Sequence, residues 1–160
     1  MNMAAMNAKQ LNVTTPSDRE IAMTRTFDAP RTRVFECFTV PALVRRWLLG
    51  PDGWTMPVCE IDFRVGGAWR YVWRNADGRE MSMSGEYREI APPSRIVHVE
   101  RFMGGEAIVT TLFAEHAGKT MSTMTMLFAS AQARDGALKS GMERGVEASY
   151  RRLEGILSAP

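Results

Sequence analysis

Five turn signals, spaced almost evenly, constrain this chain more than any other feature. Gly66-Gly67, Asp77-Gly78, Pro92-Pro93, Gly104-Gly105 and Gly118 punctuate the stretch from Trp54 to Phe128. Glycine, proline and aspartate each favour the backbone conformations of a chain reversal. The intervals between them hold one strand and its turn, the spacing of an antiparallel meander. Alternation within the intervals agrees. Trp69, Tyr71 and Trp73 share one face, while Arg70 and Arg74 share the other. Met81, Met83, Gly85 and Tyr87 alternate with Ser82, Ser84, Glu86 and Arg88, and Val109, Thr111 and Phe113 align. Ser122, Met124, Met126 and Phe128 do the same. The segment from Arg95 to Met103 is apolar on both faces, so alternation does not orient it.

Helical signals flank the meander. Ile21, Met23 and Phe27 form an initial strand, and Asp28-Ala29-Pro30 provides a capping residue and a helix-opening proline. Val34, Phe35 and Phe38 recur at helical spacing, and Pro41 starts a second short helix through Leu43, Val44 and Trp47. From about Ala131 to Leu157, a stripe of Leu138, Met142, Val146, Ser149, Leu153 and Ile156 predicts one long helix. Gly141 and Gly145 lie beside that stripe, which suits close approach of the sheet or of a ligand. The order is α+β: a strand, two short helices, about six strands and a long helix packed on a sheet of six to seven strands. Residues 1–18 lack any hydrophobic period and read as a flexible extension, leaving one domain over 19–158.

Composition removes several function classes. A formal charge of +2, with no basic run beyond Arg45-Arg46 and Arg151-Arg152, is too sparse for phosphate-driven nucleic-acid binding. No apolar stretch is long enough to span a membrane. The first residues lack the pattern of a secretory signal. Cys37 and Cys59, outside any CxxC spacing, fit reduced thiols and a cytoplasmic location. Zinc needs short-spaced ligand pairs, and His98 and His116 provide none, so no metal and no cofactor are expected.

The motifs also carry a resemblance. Thr24-Arg25-Thr26-Phe27-Asp28-Ala29-Pro30, Val34-Phe35, Thr39-Val40-Pro41 and Trp47 open it. Asp62-Phe63-Arg64-Val65-Gly66-Gly67-Ala68-Trp69-Arg70, Gly85-Glu86-Tyr87 and Ile90-Ala91-Pro92-Pro93-Ser94-Arg95-Ile96-Val97 continue it. Gly118-Lys119-Thr120 and the helix from Gly141 to Leu153 complete it. Over residues 19–157 the chain resembles homologues of the heat-shock-protein-90 ATPase activator, within the START-like, helix-grip superfamily. The resemblance implies a curved antiparallel sheet gripping a long C-terminal helix, with a cavity between them. Superfamily members bind lipids, hormones or polyketides, and some are cyclases or hydrolases. The eukaryotic activators carry a further N-terminal chaperone-binding domain that an 18-residue leader does not replace, so chaperone stimulation is not expected.

Two readings of the residues follow. In the first, a small hydrophobic molecule is the partner. Trp54, Trp69, Tyr71, Trp73 and Tyr87 provide an aromatic wall, and Met83, Met124 and Met126 an adaptable one. Met142, Val146 and Tyr150 of the helix close it. The same residues also suit an ordinary core, because core and pocket wall are continuous in such a fold. In the second reading, His98 and Glu100 share a strand face and act as an acid–base pair in a cyclase, dehydratase or hydrolase. That version requires both to face the cavity. A third reading is an interaction module of the stress response. Arg25, Arg45, Arg70 and Arg101 could anchor an acidic ligand group, but an arginine alternating on a sheet usually faces solvent with its stem packed, and no catalytic role is assigned to them. Glu60 and Asp62 invite a paired-carboxylate reading, although Asp62 before Gly66-Gly67 fits a bond to turn amides better. Gly66-Gly67 lacks the context of a phosphate loop. An open sheet edge leaves room for a homodimer.

Overall fold

The computed structural model describes residues 9–159. It opens with β1 (Asn12–Thr14), which pairs antiparallel with β2 (Glu20–Phe27). Helices α1 (Arg31–Thr39) and α2 (Pro41–Trp47) follow, divided where Val40 turns extended ahead of Pro41. The meander then runs through β3 (Trp54–Ile61), β4 (Ala68–Asn75), β5 (Glu80–Ala91), β6 (Arg95–Phe102), β7 (Gly105–His116) and β8 (Lys119–Phe128). Its reversals coincide with the turn signals, and Gly66, Gly78, Gly104 and Gly118 all take positive φ. Helices α3 (Ala131–Lys139) and α4 (Met142–Ser158) end the fold. The sheet order is β1-β2-β8-β7-β6-β5-β4-β3, antiparallel throughout, the α+β helix-grip arrangement.

Three expectations are corrected. The described sheet has eight strands, not six to seven. The addition is β1, a three-residue edge strand inside the stretch read as an extension. The single helix over 131–157 is two helices, because Gly141 at φ 84° closes one and opens the other. Asp28 caps no helix; it pairs with Lys9 and Lys119. The first turn of α1 is served from β7 instead, where Glu115 Oε1 accepts from the Arg31 N–H at 2.8 Å.

The covered face of the sheet holds two apolar clusters. The larger joins Phe27, Trp69, Tyr71, Trp73, Tyr87 and Phe113 to α1, α2 and the second half of α4. Edge-on ring pairs thread it, including Phe27–Tyr150 at 5.3 Å and Phe38–Phe113 at 5.0 Å. The smaller cluster is Ala107, Val109 and Met126, with Met124, Phe128 and Met142 packed against it. Cys37 and Cys59 are buried free thiols, and burial raises the pKa of both. No helix among the described residues is long and apolar enough to cross a membrane.

Candidate functional site

The register of the sheet fixes which side chains meet. Trp69 lies opposite Gly85, Gly85 opposite Glu100, and Glu100 opposite Ala107, forming one row across β4, β5, β6 and β7. The adjacent row runs Tyr87, His98, Val109, Met126. Strand residues of one row share a face, so His98 and Glu100 face inward with the aromatic residues. This settles the orientation of β6. Its other face carries Val97 and Val99, also buried, which is why alternation alone could not decide.

Gly85 shapes the first row. A Cβ there would stand 1.7 Å from the carbonyl oxygen of Val99 and 2.9 Å from Trp69 Cζ2. The glycine therefore leaves room for the Trp69 indole, whose Cζ2 would collide with any side chain at this position. Cζ2 is two bonds from Nε1. Trp69 is 3% exposed, and its Nε1–H has no hydrogen-bond partner. Two other buried tryptophans are satisfied: Trp47 donates to the Cys37 carbonyl at 2.8 Å and Trp73 to the Leu48 carbonyl at 2.7 Å. An unmet buried donor costs about 1–3 kcal/mol, so the Trp69 exception needs an explanation.

A polar pair lies beside it, less deeply covered than the indole. His98 sits edge-on to Trp69 at 5.3 Å and to Tyr87 at 6.3 Å. Neither the His98 nor the Glu100 side chain forms a hydrogen bond or ion pair among the described residues, and both residues are half-buried. Burial pushes the Glu100 carboxyl up to about 7 and the His98 imidazole down to about 4. One cause thus drives both groups toward neutrality. Burial also raises the phenols of Tyr71 and Tyr87. Near neutral pH the site holds a neutral imidazole, a carboxyl able to give or take a proton, and a free indole donor.

Helix α4 covers this face unevenly. From Ser149 onward, Ser149, Tyr150, Leu153 and Leu157 are buried; before it, Met142 and Val146 are only half-buried. Of the residues expected to line a pocket, Trp69, Tyr71, Trp73 and Tyr87 are buried in the larger cluster, with Trp54, Met83 and Val146 packed at its margin. Met124, Met126 and Met142 belong to the smaller cluster. Tyr150 stands apart among α1, α2 and β2 rings, where burial raises its phenol to about 12. The element that approaches Gly145 is the Gly50-Pro51 loop and not the sheet, lying 3.8 Å from the position of a Cβ there.

The arginines divide. Arg70 and Arg101 face outward, Arg70 to Glu60 and Arg101 to Glu86 and Glu106, and Arg45 bonds the Pro57 carbonyl. Arg25 contradicts the solvent-facing expectation: it is 5% exposed, pairs with Glu154 at 3.4 Å and stacks 4.8 Å from the Phe27 ring centre. Its position depends on a partner 129 residues away. Asp62 pairs with the Arg64 side chain at 2.8 Å, and Glu60 with Arg70, so neither forms a carboxylate pair. No group of three or more His, Cys, Asp or Glu among the described residues is placed to hold a metal ion. Two surface clefts, of about 280 Å³ beside Arg101 and Glu106 and about 700 Å³ between α3 and α4, touch none of Trp69, His98 or Glu100.

Comparison with known proteins places this geometry. The family model described as "Activator of Hsp90 ATPase homolog 1-like protein" matches residues 28–158. A crystal structure from Rhodobacter sphaeroides is 30% identical, with a TM-score of 0.88 over 93% of this chain and 98% of that one. A Chromobacterium violaceum protein is 27% identical, with a TM-score of 0.77 over 88% of this chain and 99% of that one. An AHSA1-like protein from Aeromonas hydrophila shares the fold at 20% identity, with a TM-score of 0.73 over 86% and 93% of the two chains. Among curated proteins, none matches.

Proposed function

The chain belongs to the Activator of Hsp90 ATPase homolog 1-like family, and on that premise we propose that it binds a small, largely hydrophobic molecule between its sheet and α4. The observation that carries this reading is Trp69 Nε1–H, a buried donor with no partner on a face made mainly of aromatic and methionine side chains. A bound molecule offering one acceptor removes its penalty. The wall is rigid where Trp69, Tyr71 and Tyr87 form it and pliable where Met83, Met124 and Met142 do. A library of apolar compounds should raise the melting temperature and move the Trp69 indole N–H resonance. If no compound moves that resonance while the protein stays folded, the reading fails.

A second reading is favoured by the inward placement of His98 and Glu100. A carboxyl with its pKa near 7 is suited to proton transfer at neutral pH, as a cyclase or dehydratase requires. In this version Glu100→Gln keeps ligand binding and loses turnover. An activity that survives in Glu100→Gln rules it out. Chaperone association rests on the family's name alone and is not proposed.

A further inference from the structure

We propose that the molecule bound on this face is uncharged and carries a hydroxyl-type head group, seated between Trp69 Nε1 and the Glu100 carboxyl at the Gly85 gap. The inference rests on the binding reading above and names its ligand class.

Donor and acceptor geometry carries it. Trp69 Nε1–H can only donate and has no partner. Glu100 lies in the same row, one strand beyond Gly85, and its oxygens have no partner among the described residues. A ligand carboxylate satisfies the indole but, whenever Glu100 is ionised, sets a second negative charge beside it. An ammonium satisfies Glu100 but offers no lone pair to the indole. A bare hydrocarbon leaves both unmet. A hydroxyl oxygen accepts from the indole and donates to the carboxyl through one atom.

The surroundings offer no compensating charge. Tyr71 and Trp69 face Glu100 from β4, Gly85 and Met83 from β5, His98 from its own strand, and Ala107 and Val109 from β7. None is charged at neutral pH, since burial holds His98 in its neutral form. The half of α4 above them presents Met142 and Val146, while its Arg144 and Glu147 line the outer cleft. Arg101 is on the opposite sheet face, committed to Glu86 and Glu106. Arg25 is committed to Glu154. An anionic head therefore meets no cation, and an ionised Glu100 meets no counter-charge until a donor arrives.

A matched ring series tests this at pH 7: 2-naphthol, 2-naphthoate, 2-naphthylmethylammonium and naphthalene, by calorimetry and by the Trp69 indole ¹H–¹⁵N resonance. Naphthol should bind about tenfold tighter than naphthalene, the worth of roughly one added buried hydrogen bond. It should also shift the Trp69 resonance most. Glu100→Leu and Trp69→Phe should each reduce naphthol to the naphthalene level, and Glu100→Gln, which keeps an acceptor and a donor, should retain the preference. Equal binding by all four, or a charged member binding tightest, overturns this inference and leaves the apolar-ligand reading standing. No binding by any of the four, with no inner-face resonance moved, overturns both.

Discussion

The two ends of the covered face are made of different material. One end is interlocked rings: Phe27, Phe35, Phe38, Trp47, Phe113 and Tyr150 meet edge-on or tilted where α1, α2 and the buried half of α4 pack on the sheet. The other is Met124, Met126 and Met142 with Ala107, Val109 and Phe128, under a half of α4 that buries no side chain fully. Rings have few rotatable bonds and defined contact angles, whereas methionine is unbranched and repacks easily. Between them stand His98 and Glu100, polar and unpartnered. The contrast separates the two tasks a helix-grip fold must perform. The ring end holds the helix to the sheet, and the methionine end is left free to adapt.

Substitutions can break or sharpen that contrast. The largest effect is expected from Leu153→Ala at the ring end, where the side chain is 0% exposed. It should cost about 4 kcal/mol in urea unfolding; a loss below about 1 kcal/mol would show that the ring end does not anchor the helix. Gly85→Ala comes next, because its Cβ meets backbone that cannot move aside. About 3 kcal/mol should be lost, together with a displaced Trp69 resonance.

Glu100→Gln tests the polar boundary through pH. The Glu100 carboxyl titrates near 4.5 when free and about 7 in the fold. Its contribution is intact below pH 4.5 and is lost as pH rises through 7. The variant should therefore match the native protein at pH 4 and exceed it by about 2–3 kcal/mol at pH 8. His98 has the opposite sign, since its pKa falls from 6.5 to about 4 and its contribution is lost as pH falls through that value. The native pH profile should consequently be flatter between 4 and 7 than that of either single variant. A Glu100→Gln advantage that is constant with pH would contradict the burial of the carboxyl. Smallest of all, Met142→Ala at the pliable end should cost under about 1 kcal/mol. A loss as large as that of Leu153→Ala would erase the distinction between the ends.

Legibility in the sequence followed the range of the forces. The meander was readable because each reversal is made by residues at the reversal itself, such as Asp77-Gly78 and Gly104-Gly105. The Thr39-Val40-Pro41 break between α1 and α2 was readable for the same reason. By contrast, β1 is three residues that become a strand only by pairing with β2. Arg25 turns inward only because Glu154 meets it from α4. The inward direction of His98 and Glu100 was hidden by Val97 and Val99, buried on the outer face, and by the bulge between Tyr87 and Glu89. The aromatic wall was visible as alternation. The empty donor on Trp69 was not, since it depends on Gly85 and on the partners that Trp47 and Trp73 find in α1 and the loop after α2.

One further consequence comes from Gly50. Its N–H donates to Ser149 Oγ at 2.9 Å, and its carbonyl accepts from Arg152 Nη1 at 2.6 Å, while Arg152 also reaches Asp52. Both ends of one peptide neighbourhood thus grip α4 at points about a turn apart. A slide of the helix by one turn, about 5.4 Å, would break both bonds together. The helix is indexed along its own axis like a ruler held at a single mark, so a loop outside the sheet sets how far Met142 and Val146 overhang it.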